Sequence, residues 1–441
     1  MLKNQVKLAI CLLLGVLFAT TGCNKTKDLY QDTLPEESVA NVFSSIKIPE
    51  NFKWETLKNV EISLNVDDKY DGKYYYGLQV FDRDPREENP ALLDAGYGKK
   101  DHPWVTKTTI HSALKQVYVK ETTPTNEINY YIIEIVDNKL LDINRKSIPI
   151  LNQKSNKRSS LKANVTNSNN PNDVFLGDIE LAPVTYAFED NWPYTGDYDL
   201  NDCVLEVKII KHINRSNSLD RVTLKTKILA AGAKRRLAAA ISVYIMPDRL
   251  SEVSHSNPKL VVKNFGSNGL EYGRRGPISV IPLVDDLNEA FGLFDGTSLI
   301  NTISGDESRF PILPPVETTI SMKVFDTSDF GYFSISPFLI NNFYSQNQTR
   351  NEIHLPGEYP TEKADPLYLI SKSLKPSSPY LTNSNLPFAI AVPGSFKYSR
   401  EGTSINRAYG NFLNWARSGG RDYQDWYKNY DESLVYSDRN K

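Results

Sequence analysis

The sequence predicts a mainly β protein built of two β-sandwich domains. A smaller one lies over residues 48–150, and a larger one over 174–441 carries a short C-terminal helix. Three observations predict it. Apolar and polar residues alternate with period two in segment after segment, the pattern a strand needs to bury one face and wet the other. The composition favours strands and turns, with 25 Tyr, 18 Phe and 25 Pro against 3 Met. Residues 151–173 read as a polar linker: Gln153–Asp173 holds only Leu161, Ala163 and Val165 as apolar residues, too few to bury a surface of its own.

The elements follow in order. Val60-Glu-Ile-Ser-Leu-Asn-Val66 alternates strictly, and Tyr74–Phe81, Lys115–Val119 and Ile128–Val136 continue the pattern across the first domain. In the second, strands are expected at Val184–Phe188, Val204–Ile210, Val222–Ala230, Ala238–Ile245 and Thr318–Phe325. Leu287–Phe294 fits a short helix. Asn406–Arg417 fits another, with Ala408, Phe412, Leu413 and Trp415 near one face and Gly419-Gly420 as its stop.

The N-terminus reads as processing signal and tether. Lys3 and Lys7 precede the uncharged run Leu8–Ala19, whose 12 residues suit a signal-peptide core and are too few to span a bilayer. Thr20-Thr21-Gly22-Cys23 resembles a bacterial lipobox, with Thr20 where that pattern usually has Leu. The expectation is a signal peptide over 1–22 and a tether over 23–47 lipidated at Cys23, which anchors the chain to the outer membrane without spanning it. That leaves Cys203 as the lone mature cysteine, expected as a small buried residue. Without Lys3 and Lys7 the formal charge goes from −2 to −4, a balance that gives no reason to expect a nucleic-acid partner.

The segment Phe188-Glu-Asp-Asn-Trp-Pro-Tyr-Thr-Gly-Asp-Tyr-Asp-Leu-Asn-Asp202 carries the chemistry. Between Glu189 and Asp202, 14 residues hold five carboxylates and two Asn. Such crowding is self-repelling unless something positive neutralises it, and a hard divalent cation is the simplest candidate. Asp197, Asp199 and Asn201 have the alternate spacing that opens EF-hand calcium loops. An EF-hand proper is excluded, because Asp202 stands where Gly is required, Lys208 where Glu is required, and a strand follows. The candidate ligands of a structural calcium ion are therefore Asp197, Asp199, Asn201, Asp202, Glu189 and Asp190 on a β-scaffold. Two alternatives use the same residues: Asx-turns that fix a corner without any ion, and a glycosidase-type acid/base pair. The five His are scattered, against a zinc hydrolase. Lys225, Lys227, Lys234, Arg235 and Arg236 read as a solvated strand face and hairpin tip, and Tyr423, Trp426, Tyr427 and Tyr430 as core cover.

The blocks FED-W-P, GDYD-ND, Glu352-Ile-His-Leu-Pro-Gly357, Leu386–Pro393 and Asn414–Gly420 with Asp425-Trp-Tyr427 occur in the order found in the LruC-domain family. The C-terminal region thus resembles that family of Bacteroidetes-type lipoproteins. The resemblance implies an Ig-like first domain, an LruC-like second domain and an envelope location, and it assigns no activity. The functional expectation is a lipid-anchored cell-envelope protein on the periplasmic or extracellular face, more binding or structural than enzymatic, with an unidentified protein or glycan ligand. The alternative is an enzyme or binding protein that uses residues 189–202 on polysaccharide.

Overall fold

The computed structural model describes residues 48–148 and 174–437, except 175, 195, 215–217, 246–249, 257–270, 273–278, 295–297, 304–309, 325–332, 343–349 and 367–378. The signal segment, Cys23 and the linker 151–173 lie outside the described residues. Among the described residues no helix is long and apolar enough to cross a membrane.

Seven strands come first: β1 Leu57–Leu64, β2 Tyr76–Phe81, β3 Leu92–Gly98, β4 Trp104–His111, β5 Gln116–Thr122, β6 Ile128–Val136 and β7 Lys139–Ser147. They form one sheet in the order β3-β2-β5-β6-β7-β1-β4. A sandwich would need two sheets. Here β1 pairs antiparallel with β4 and parallel with β7, which joins both halves into one nearly barrel-shaped sheet. The edge strands β3 and β4 approach each other, and Thr108 Oγ1 donates to the Leu93 carbonyl at 3.3 Å. Val60, Ile62 and Leu64 alternate inward to meet Leu78, Val80, Val117 and Val119 in the lumen.

The chain continues with β8 Asp178–Glu180, β9 Val184–Phe188, β10 Cys203–Ile213, β11 Leu219–Ala230, β12 Ala238–Val243, β13 Leu250–His255, β14 Glu271–Tyr272, β15 Ser279–Val284, β16 Val316–Val324, β17 Ile335–Asn342, β18 Asn351–Ile353 and β19 Ala389–Pro393. One sheet runs β13-β16-β11-β10-β9-β19 with β8 beside β10; a second runs β14-β15-β12-β17-β18. Leu205, Val207, Val222 and Ile320 of the first share a core with Ile241, Ile281 and Leu339 of the second. The barrel-like sheet docks on this body, and Lys211 of β10 donates to both oxygens of the buried Asp94 on β3, at 2.8 and 2.9 Å.

Helices are few and short. α1, Leu287–Ala290, is capped by Asp286, whose Oδ1 accepts from Asn288 N and Glu289 N. The expected C-terminal helix is two pieces, α2 Ile405–Ala408 and α3 Phe412–Arg417, broken around Gly410. α3 ends as expected: Gly419 (φ +67°) and Gly420 (φ +80°) donate back to Ala416 and Trp415. α2 and α3 cover the outer face of β9, β10, β11 and β19. Ala187, Val204, Ala230 and Ile390 meet Phe412, Trp415 and Trp426 there, with Phe52 and Trp54 sealing the edge. Trp426 and Tyr427 are therefore core cover, whereas Tyr423 is about half exposed.

Candidate metal centre

The centre is set by how β9 and β10 end and begin. Tyr186 and Phe188 face the inter-sheet core while Ala187 faces the helices, so Glu189 leaves the sheet where Cys203 pairs with Phe188. Glu189 N donates to the Phe388 carbonyl and Asp202 N to the Phe188 carbonyl. The two strand ends therefore carry Glu189, Asp190 and Asp202 side by side.

The intervening turn is shaped by alternate left-handed residues: Gly196 at φ +58°, Tyr198 at +59° and Leu200 at +55°. Such angles disfavour a side chain, and here burial compensates, because Tyr198 and Leu200 are wholly buried in the core beneath α2 and α3. Alternation sends Asp197 and Asp199 the other way, toward Glu189. A loop 200 residues later holds the turn: Ile405 N donates to the Tyr198 carbonyl, Gly402 N to Asp199 Oδ2 at 2.8 Å, and Asn201 Nδ2 to the Ser399 carbonyl at 3.2 Å. Asp199 Oδ1 also accepts from Asn201 N at 3.1 Å, the expected Asx-turn.

All five carboxylates of the acidic segment converge. Ligand oxygens of Glu189, Asp190 and Asp202 lie within 4.8 Å of one another, as do those of Glu189, Asp197 and Asp199. Asp197 is partly exposed and the others are buried. Asn201 is placed differently, with its Oδ1 packed against Gly232, where a Cβ would overlap it. Two contributors carry no signal in the sequence. Glu401 adds a sixth carboxylate whose Oε2 is shielded and lacks a donor. Arg235, expected in solvent, reaches Asp190 Oδ2 with Nε at 2.9 Å.

The electrostatics are those of stacked like charges. Burial first, then the neighbouring carboxylates, push Glu189, Asp199 and Asp202 well above the usual carboxylate range. Burial raises Asp190 too, with Arg235 opposing. Burial and Asp197 take Glu401 up to about 8, with Lys234 opposing.

Whether a cation fits is decided at Glu189. Its side chain is 0% exposed, and neither Oε has a hydrogen-bond partner of acceptable geometry, the nearby Leu200 N–H giving only a small offset. A buried carboxylate without donors is costly. The chain leaves space for it, since a Cβ on Gly196 would collide with Glu189 Oε1. A hard, all-oxygen donor set of this kind suits calcium or magnesium better than a soft metal.

Elsewhere, His354 is a satisfied structural residue. Its Nε2 meets Glu352 Oε2 at 2.9 Å, and Arg350 and Thr361 complete that buried network. Cys203 is buried, as expected.

Residues 217–427 match the family described as "Domain of unknown function (DUF4842)", a stretch that includes Lys234, Arg235 and Glu401 but not the acidic turn. No curated protein matches the sequence. Among solved structures the chain is similar in fold to a Bacteroides ovatus protein described as a "putative lipoprotein", at 12% identity and a TM-score of 0.50, covering 82% of this chain and 99% of that one. The major pilins BcpA of Bacillus cereus and SpaD of Corynebacterium diphtheriae align at 11% identity, over 67% and 69% of this chain and 67% and 68% of theirs. Their TM-score of 0.15 carries no argument.

Proposed function

We propose that this chain is a lipid-anchored cell-envelope protein with a binding or structural role, whose second domain is stabilised by calcium at the acidic centre. The reading takes the chain as a Cys23-anchored outer-membrane lipoprotein of two domains, 48–150 and 174–441, joined by the linker 151–173. The Bacteroides ovatus likeness supports an envelope setting. The observation that carries the calcium reading is Glu189, sealed from solvent, without a hydrogen-bond partner of acceptable geometry, and common to both carboxylate groups. The ion is assigned to Glu189, Asp190, Asp197, Asp199 and Asp202, with backbone oxygens and water completing a shell of six to eight.

Burial argues against the polysaccharide-cleaving alternative. A glycosidase sets its two carboxyls on either side of a sugar in an open cleft, whereas Glu189 and Asp199 are 0% and 2% exposed. A protein or glycan ligand has room elsewhere. A cavity of about 1020 Å³ opens between the barrel-like sheet and the second body, bordered by His111, Tyr427, Arg83, Glu358 and Lys428.

A thermal melt of the purified protein in calcium and in chelator tests the reading. An ion that binds only the folded chain raises Tm by mass action. Identical melts would leave the turn as ionless architecture.

A further inference from the structure

We propose that the acidic centre is built for two divalent cations that share Glu189, one held with Asp190 and Asp202 and the other with Asp197 and Asp199. The proposal rests on the calcium reading above and deepens it, from an ion to a bridged pair. Three independent observations carry it.

The first is geometric. The carboxylates form two groups, not one: each has its own pair of aspartates, and Glu189 is the member common to both. The pairs come from different structural sources. Asp190 and Asp202 are fixed by the strand ends, where Asp190 N donates to Asp202 Oδ2 at 2.6 Å. Asp197 and Asp199 are fixed by the turn and by the Gly402 clamp.

The second is the state of the shared residue. Both Glu189 oxygens are buried, and neither has a hydrogen-bond partner of acceptable geometry. A single ion relieves both oxygens only if Glu189 grips it with both; bound through one, it leaves the other under the same penalty. A carboxylate that bridges two metals uses one oxygen for each, and ions so bridged sit roughly 3.5–4 Å apart, a spacing compatible with groups whose oxygens lie within 4.8 Å.

The third is charge. Glu189, Asp190, Asp197, Asp199, Asp202 and Glu401 make six carboxylates, five of them in the two ligand groups. Among the described residues, Arg235 lies at Asp190 and Lys234 acts on Glu401. With all six ionised, four negative charges remain after those two, and two dications match them. One dication would leave the rest to be offset by protons. Arg235 does not replace an ion in the first group, because its side chain is 48% exposed and it approaches Asp190 from solvent.

The pair would be structural. Two-metal hydrolases hold their ions in an open site that admits substrate, and here the bridging carboxylate is 0% exposed.

Counting ions decides it. The purified full-length protein is stripped with chelator, titrated with calcium alone, and weighed by native mass spectrometry, with calorimetry for stoichiometry. Two calcium ions per wild-type chain are expected. Asp202→Asn and Asp199→Asn, which each spare one group, should fall to one. One ion per wild-type chain would overturn the pairing while leaving the calcium reading intact, and none would overturn both. Should either variant not fold, loading the wild type with terbium and europium together decides the same question. Energy transfer between the lanthanides within one chain requires two neighbouring ions, and its absence refutes the pair.

Discussion

Replacing Glu189 by Gln separates an ion site from a plain acidic turn, because the two readings differ in sign. In chelator, the Glu189 charge shares its surroundings with Asp190, Asp202, Asp197 and Asp199, whose ligand oxygens lie within 4.8 Å. Two like charges at that distance repel by about 3.5 kcal/mol at an effective dielectric near 20. Four such contacts reach roughly 14 kcal/mol, comparable with the whole stability of a domain. The chelated protein must therefore carry protons here, in line with the upward displacement of Glu189 by burial and by its neighbours. Gln removes the charge and keeps the shape, and neither Oε has a hydrogen-bond partner of acceptable geometry to lose. In chelator Glu189→Gln should thus be as stable as wild type or more so, by up to about 3 kcal/mol. In excess calcium the order should reverse. An ion at a thousandfold its Kd contributes about 4 kcal/mol to the wild type, which the variant forgoes. Urea unfolding in both media measures the four free energies. Equal destabilisation by Glu189→Gln in calcium and in chelator would refute the argument, because that is what loss of an ordinary buried polar residue looks like.

Three further outcomes follow from the same structure. Glu358 faces the large cavity and is raised from 4.5 to about 7 by burial and then by Glu55. A raised carboxyl stabilises the fold below its unfolded value and loses that contribution as pH climbs through the folded one. Wild-type stability should fall by up to about 3 kcal/mol between pH 4.5 and about 7, and denaturant titrations of Glu358→Gln should lack that slope. Gly232→Ala places a Cβ in overlap with Asn201 Oδ1 and 2.8 Å from the Asn201 carbonyl. Overpacking of that kind costs about 1–3 kcal/mol, so its melting temperature should drop in calcium and in chelator alike. Cys203 is wholly buried, and burial with Asp202 pushes its thiol well above the usual range. A thiol reagent should leave the native chain untouched and titrate Cys203 only after unfolding.

Much of the fold was legible where one face is wet and the other dry. Ile128–Val136 and Val184–Phe188 begin and end where alternation places them. Strands escaped notice where that contrast fails. Leu92–Gly98 is buried along nearly its whole length, so nothing in Leu-Leu-Asp-Ala-Gly-Tyr-Gly alternates. Trp104–His111 does alternate in burial, but two of its inward residues are Thr106 and Thr108, which read as polar. The continuous helix expected over Asn406–Arg417 overlooked Gly410. A glycine costs a helix interior about 1 kcal/mol, and Tyr409 leaves helical geometry there to donate its hydroxyl to the Lys397 carbonyl. The single nearly barrel-shaped sheet was beyond reach, because it depends on β1 pairing in parallel with β7, a contact no local pattern encodes.

The candidate centre divides along the same line. Its five local carboxylates were visible because they crowd one turn, and chain geometry alone brings them together: strand ends for three, alternate left-handed residues for two. What converts that crowd into a cradle is distant. β19 pairs with β9, Ala389 opposite Phe188, and so delivers the loop 399–405 to the turn. That loop then holds Tyr198, Asp199 and Asn201 through Ile405, Gly402 and Ser399, and adds Glu401. With these carboxylates ionised and nothing to offset them the arrangement works against itself, since every bond that tightens the turn also tightens the repulsion. Among the described residues, Arg235 at Asp190 and Lys234 near Glu401 supply positive charge at the rim of that cluster. Five carboxylates set around the buried Glu189, and clamped by a loop far along the sequence, need protons or a cation to offset them, and the calcium and chelator comparison tells which.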